Sequence, residues 1–165
     1  MSKHIPSDLI RVRVDKQFEE LVAQLIPDAS ADPDQPKIFN RYTDLLVFAA
    51  AYAAAHKKPL PVENTAKAPD PIRPEVFLSH NYESIIDLLA AHHLKSVKDA
   101  FKDSHEVEAR RFKIFEEYAN RGLQMIQKKI AHQPDKLLGI ESIIYEYHNS
   151  QSDIEEVDIT GLTDL

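Results

Sequence analysis

Residues 45–55 read LLVFAAAYAAA, a stretch of eleven apolar or small residues without a charge. A helix of this length rises about 16 Å, whereas a membrane-spanning helix needs roughly 20 apolar residues. A soluble helix that is apolar on every side belongs at the centre of a packed domain. Alanine side chains also let neighbouring helices approach closely. We therefore predict a mainly α protein that is built around this buried, Ala-rich helix.

Composition agrees with a helical domain. The chain has 165 residues, three glycines and no cysteine, which favours one helix-rich domain and excludes a disulfide framework or thiolate metal site. The first six residues contain no apolar segment that resembles a secretion signal. We therefore expect a cytoplasmic protein that does not enter a membrane. The net charge of −7 argues against coating of nucleic acid, which requires a positive field, but it permits a local basic patch.

Hydrophobic periodicity and proline content divide the chain into segments. We predict a compact bundle of about five helices that forms a single domain over residues 1–148. Within it, residues 9–58 form a strand–helix–helix unit, residues 59–74 a Pro-rich extended connector, and residues 75–148 a helical half. Residues 149–165 carry five acidic residues and no basic residue, and we interpret them as an acidic tail.

The N-terminal unit has clear local signals. Residues 9–14, LIRVRV, alternate with period two, which predicts a short β-strand with Arg11 and Arg13 on its outward face. Asp15 is predicted to cap the first helix, and Asn40 to cap the Ala-rich helix.

The longest helix is predicted to begin at Asp103, which has capping-box spacing to the glutamate three residues later. It extends to about His132. Gly122 lies inside this helix and is expected to permit a close helix crossing. Tyr118 and Asn120 are expected to bond to the backbone of the connector.

The sequence contains no recognisable catalytic or metal motif. It has no HExxH, no GxSxG elbow and no Gly-rich phosphate loop. Adjacent histidines such as His92 and His93 point about 100° apart on a helix and cannot share one ion. We therefore predict no catalytic residues, no metal and no cofactor, and a protein that is not an enzyme. An active site assembled from residues distant in sequence is a third, weaker interpretation.

A strand followed by two helices is the chain order of ribbon–helix–helix DNA-binding proteins, in which paired strands enter the major groove. On this interpretation Arg11 and Arg13 face the bases, Lys16 contacts a phosphate, and Arg41 lies near the start of the second helix. The connection over residues 27–40 is longer than in that compact motif. The alternative is an edge strand whose two arginines only prevent aggregation.

The acidic tail has two interpretations as well. It is either a partner-docking segment that adds to a sheet or a basic groove, or a solvated, disordered C-terminus. The candidate docking residues are Ile154, Glu155, Glu156, Val157 and Asp158.

Three stretches resemble a known family: KIFNRYTDLLVFAAAYAAAHKKPLP, PIRPEVF and FEEYANRGL. Over roughly residues 10–130 the chain is similar to the fourth family of proteins named for association with the bacterial DNA phosphorothioation (dnd) system. The resemblance implies a non-catalytic accessory subunit of a system that marks DNA with sulfur and restricts unmarked DNA as an anti-phage defence. Its expected partners are protein subunits of that system. Direct contact with duplex DNA and homo-oligomerisation stay open, and a dimeric ribbon–helix–helix regulator is the alternative function.

Overall fold

The computed structural model describes residues 10–26, 37–55, 58–101 and 104–152, and this part of the chain is mainly helical. The chain forms two compact units, Met1–Lys128 and Lys129–Leu165. A 3₁₀ turn at Lys16–Phe18 precedes the α-helices. In chain order these are α1 (Glu19–Leu25), α2 (Tyr42–Ala54), α3 (Pro74–Ser79), α4 (Glu83–Leu94), α5 (Val97–Ala100), α6 (His105–Ile130) and α7 (Lys136–Ser152). The predicted mainly α fold is confirmed.

The Ala-rich helix is α2, and it forms part of the core as predicted. Leu45, Ala49 and Ala50 are completely buried. Seven of its thirteen residues are buried in total, whereas Ala51 and Tyr42, at the start of the helix, are exposed. Small side chains on the buried face allow neighbouring backbones to approach.

Gly122 is the point where α6 crosses α2 most closely. A Cβ atom added at this glycine would overlap the carbonyl group of Ala49 and lie 2.7 Å from its Cα. The predicted close helix crossing is therefore confirmed, and it depends on the absence of a side chain on α6 and on alanine on α2.

The predicted N-terminal strand is not shown. Within residues 10–26 the extended segment makes only two isolated antiparallel bridges to the connector, Val12 with Ile72 and Asp15 with Thr65. A regular ladder cannot extend between these bridges, because the connector has more residues than its partner there and includes Pro71, which lacks an N–H. The segment is thus tied to the connector at two points without forming a sheet.

The alternating burial of this segment nevertheless follows the sequence pattern. Ile10, Val12 and Val14 are buried, whereas Arg11 and Arg13 are partly exposed. An extended backbone turns successive side chains to opposite sides whether or not a complete ladder forms. The two arginines therefore share the outward side.

Helix capping follows the sequence only in part. Asp15 is a cap as predicted, but of the 3₁₀ turn that precedes α1: its carboxylate accepts a hydrogen bond from the backbone N–H two residues later. α1 itself has no side-chain cap. The predicted cap Asn40 is wrong, because α2 starts one residue later, after Arg41, and has no side-chain cap. Asp103 lies outside the described residues. The hydroxyl of Ser104 instead accepts a backbone N–H three residues later in α6.

The connector is held against α6 by an amide side chain. Asn120 donates from Nδ2 to the carbonyl oxygens of Leu60 at 3.2 Å and Pro61 at 3.0 Å. This confirms the prediction for Asn120. The prediction for Tyr118 is wrong, because its hydroxyl instead lies 3.4 Å from Nδ1 of His93 on α4.

In the second unit, α7 packs close to the end of α6. A Cβ at Gly139 would lie 2.6 Å from Cγ2 of Ile130, and Ile140 and Ile143 are buried. The helix continues to Ser152, into the stretch that sequence analysis assigns to the tail. In the part of the chain that the structure describes, no helix is long and apolar enough to cross a membrane.

Candidate functional site

The most highly connected polar group in the first unit is the buried carboxylate of Glu116 on α6. Its Oε1 accepts a hydrogen bond from NH2 of Arg13 at 2.8 Å, and its Oε2 accepts from Nε at 3.1 Å. Oε2 also accepts the backbone N–H of Arg13 at 2.8 Å. Lys113 donates from Nζ to Oε1 at 2.9 Å. This carboxylate therefore fastens both the main chain and the side chain of the N-terminal segment to α6.

Electrostatics at this position favour the ionised pair. Burial raises the pKa of Glu116, whose side chain is only 2% exposed, but hydrogen bonds from Arg13 and Lys113 outweigh burial and lower the pKa below its usual value. The hydrogen bond to Glu116 raises the pKa of Arg13, against a smaller opposing effect of desolvation. The Arg13 guanidinium thus forms a structural ion pair with Glu116, although 37% of the Arg13 side chain is exposed.

A second buried carboxylate fixes the other end of the N-terminal segment. Asp15 accepts backbone N–H groups from Gln17 at 3.2 Å, Glu63 at 2.8 Å and Asn64 at 3.4 Å. Burial raises the pKa of Asp15, yet these hydrogen bonds together lower it below its usual value. The sequence marks Asp15 only as a helix cap, and its bonds to the connector were not expected.

Arg11 lies next to the bridge between the N-terminal segment and the connector. Val12 and Ile72 exchange two backbone hydrogen bonds of 2.8 Å each, so Arg11 and Arg73 are the next residues opposite each other in the antiparallel register. Arg73 has extended backbone angles and is exposed. One nitrogen of Arg11, NH1, donates to the carbonyl of Ile10 at 2.7 Å. Sequence reasoning missed Arg73, because nothing in the local pattern reveals this register.

The other two predicted DNA-contacting residues lie elsewhere on the first unit. Lys16 is exposed on the 3₁₀ turn, and its backbone N–H donates to the carbonyl of Asn64 at 2.7 Å. Arg41 is exposed at the start of α2, close enough to Tyr82 to affect its titration. The hydrogen bond to Asp44, at 2.7 Å, raises the pKa of Tyr82. Among the described contacts, none joins Lys16 or Arg41 to the N-terminal arginines.

An apolar surface on α7 was not expected from the sequence. Leu138, Ile144 and Tyr145 are 57%, 54% and 68% exposed, and Leu137 lies beside them. Residues 137 and 144 are seven positions apart and lie in one row along the helix, and residues 138 and 145 lie in the adjacent row. The buried side of α7 carries other apolar residues, so the helix is apolar on two sides. Its wide apolar arc in the sequence is the signal that could have indicated this surface.

Two further features concern the acidic tail and possible metal ligands. The tail residues proposed for partner docking, Ile154, Glu155, Glu156, Val157 and Asp158, lie outside the described residues. Among the residues that are described, no group of three or more His, Asp or Glu side chains could hold a metal ion.

Comparison with protein-family models identifies a family for this chain. A family model described as DNA sulphur modification system-associated protein 4 matches residues 11–162. Searches of curated proteins and of solved structures gave no match. Because the family model covers nearly the whole chain, this protein belongs to the family of DNA sulphur modification system-associated protein 4.

Proposed function

We propose that this protein is a non-catalytic accessory subunit of a DNA sulphur modification and restriction system, and that it docks on another protein subunit of that system. The observation that carries the proposal is the exposed apolar side of α7. The family association indicates where the partner is to be found. Residues 154–158, three of which are acidic, are a proposed second docking segment.

The apolar side of α7 has the form of a partner-binding helix. Large exposed apolar side chains that cluster on one surface are typical of interaction sites, whereas single ones are ordinary. Leu137, Leu138, Ile144 and Tyr145 cluster through their spacing of seven residues on one helix. A helix with anchors at such spacing fits an apolar groove on a partner. The proposed occupant of this surface is therefore a groove on a protein subunit of the sulphur modification system.

The buried polar groups of the first unit also favour a binding role over a catalytic one. The buried carboxylates of Glu116 and Asp15 are saturated by hydrogen bonds from the N-terminal segment and the connector. Such groups hold structure and are not poised to transfer a proton. Direct contact with DNA through Arg11, Lys16 and Arg41 is part of the proposal as a second, electrostatic interaction.

The contacts of the N-terminal segment favour the accessory subunit over a ribbon–helix–helix regulator. Such a regulator needs its N-terminal strand free to pair with the same strand of a second copy. Here Val12 is bonded to Ile72 on one edge, and the N–H of Arg13 is bonded to Glu116 on the other. Dimerisation by strand pairing would have to break these bonds.

Co-purification with defined subunits tests the docking surface. The full chain is co-expressed with each protein of its own sulphur modification system, and the amount retained on an affinity tag is measured. Replacing both Leu138 and Tyr145 by glutamate should reduce retention at least about tenfold, since charges would enter a desolvated interface. The control is Ser150→Glu, which adds a charge at an exposed position on another side of α7.

The melting temperature of each variant shows whether folding is intact. Exposed substitutions are expected to change the free energy of unfolding by less than about 0.5 kcal/mol. Equal retention of the wild type and the Leu138→Glu/Tyr145→Glu variant by the same subunit would contradict docking through α7.

A further inference from the structure

We propose that Arg11 and Arg73 together form a phosphate-binding pair that contacts the backbone of duplex DNA. The inference rests on the proposed function for the identity of the anion, since the family is associated with DNA modification. It adds Arg73, and a defined geometry, to the DNA contact predicted from the sequence.

The bridge between the N-terminal segment and the connector sets the positions of the two arginines. Val12 and Ile72 form a hydrogen-bonded antiparallel pair, and Arg11 and Arg73 are the next residues in the register that this pair sets. Directly opposite residues have Cβ atoms about 5 Å apart on the same side. Because Val12 is buried, this side faces away from the core. The two guanidinium groups can therefore reach a single external ligand.

The charges of Arg11 and Arg73 also favour an anionic ligand. Like charges at directly opposite positions repel and destabilise a strand pair. Among the described residues, no carboxylate forms an ion pair with Arg11 or Arg73. The acidic neighbours of Arg73 along the chain, Asp70 and Glu75, are exposed and, among the described contacts, form no ion pair with either arginine. The neighbouring Arg13, in contrast, is neutralised by Glu116. Within the described part of the chain, two positive charges at neighbouring positions of this register thus have no carboxylate partner, and an anion would stabilise them.

The hydrogen-bond donors of the two guanidinium groups match a phosphate. A guanidinium has five N–H donors in a planar fork that matches the oxygens of a phosphate, and only one nitrogen of Arg11 is engaged by a backbone carbonyl. Two such groups on one surface can span the non-bridging oxygens of one phosphate or two successive phosphates. Contacts of this kind position DNA without reading its sequence.

The experiment is a fluorescence titration of a labelled 20-base-pair duplex with the full chain, at salt concentrations from about 50 to 200 mM. Arg11→Ala and Arg73→Ala should each weaken binding at low salt about tenfold, the loss expected for one charge-assisted hydrogen bond. The slope of log affinity against log salt should fall by about 0.9 for each phosphate that the variant no longer neutralises. Lys98→Ala removes one positive charge at an exposed position on α5 and should leave both quantities unchanged.

A second titration uses polyglutamate as the probe, to separate DNA from an acidic polypeptide. Weaker duplex binding by both arginine variants but not by Lys98→Ala supports the proposal. Identical binding by all four proteins, absence of duplex binding at about 50 mM salt, or tighter binding of polyglutamate than of DNA overturns it. None of these results affects retention of the chain by a protein subunit, so the docking proposal fails or stands by its own experiment.

Discussion

Glu116 shows how a buried charge is tolerated in this fold. A carboxylate that loses water requires strong compensating contacts, and here three donor groups of Arg13 and the ammonium of Lys113 supply them. The same contacts join residues that are 103 positions apart in the chain. Arg13 is therefore a structural residue of the N-terminal segment, whatever its part in DNA binding.

We predict that Arg13→Ala lowers the free energy of unfolding by about 1.5–3 kcal/mol, the contribution of a hydrogen bond to a charged group. Urea denaturation at pH 7 measures the loss. Arg11→Ala is the matched control, because its guanidinium contacts only a backbone carbonyl, and it should cost less than about 0.5 kcal/mol. Equal losses in the two variants would contradict the structural role of the ion pair.

The same pair predicts a pH dependence of stability. The pKa of Glu116 is lower in the folded than in the unfolded chain, where it is about 4.3. Its contribution is therefore complete above about pH 4.3 and is lost as the pH falls through the folded-state pKa. The stability difference between the wild type and Glu116→Gln should be largest at pH 7 and shrink below about pH 4. A difference that stays constant from pH 7 to pH 3 would refute this explanation.

The close helix crossing at Gly122 predicts how stability changes when a side chain is added there. Gly122→Ala gains about 1 kcal/mol of helix propensity, but its methyl group would meet the rigid backbone of Ala49. We expect a net loss of about 1–3 kcal/mol from overpacking, measured by thermal denaturation. Gly139→Ala is the comparison, because its methyl group meets the side chain of Ile130, which can move. Gly139→Ala should cost clearly less, and the opposite order would contradict the packing described for α6 and α2.

At the scale of elements, α2 lies mostly in the core but reaches solvent at Ala51, although residues 45–55 carry no charge. Ala50 is fully buried, whereas Ala51 is exposed. We predict that Ala50→Glu abolishes folding, because a buried, unpaired charge costs several kcal/mol against a total stability of about 5–15 kcal/mol. Ala51→Glu should fold normally. Circular dichroism melts of both variants test the orientation of the helix, and unfolding of the Ala51→Glu variant would show that it is wrong.

The N-terminal segment and the Pro-rich connector behave as one structural element. Reciprocal bonds between Val12 and Ile72, and backbone bonds to the carboxylate of Asp15, hold them together. Asn120 then fastens the connector to α6. Prolines prevent a continuous ladder, so side-chain hydrogen bonds replace the backbone bonds that a sheet would supply. This arrangement is what places Arg11 opposite Arg73.

At the scale of the whole molecule, a net charge of −7 coexists with a local pair of unneutralised arginines. Long-range repulsion from the acidic chain should keep DNA affinity low in the isolated protein at low salt. At physiological salt this repulsion is screened, but the phosphate contacts themselves become weaker. A protein partner that supplies further positive charge would raise that affinity. Docking through α7 and a phosphate contact at Arg11 and Arg73 are therefore compatible parts of one accessory role.

Local patterns in the sequence determined the helical class, the core position of the Ala-rich helix, the cap at Asp15 and the alternating burial of the N-terminal segment. These features depend on the period of apolar residues and on hydrogen bonds within a few positions, which a sequence displays directly. The family resemblance was also contained in the sequence, and the family match confirms it.

Only the tertiary structure decided which groups meet. The ion pair of Arg13 with Glu116, the register that sets Arg11 opposite Arg73, and the exposed side of α7 all depend on how distant segments pack. Periodicity shows that a residue is apolar or charged, but it does not show which neighbour covers it. For that reason the sequence predicted a strand where the structure has two isolated bridges. It also placed Arg13 on the outward face without indicating its ion pair with the buried carboxylate of Glu116.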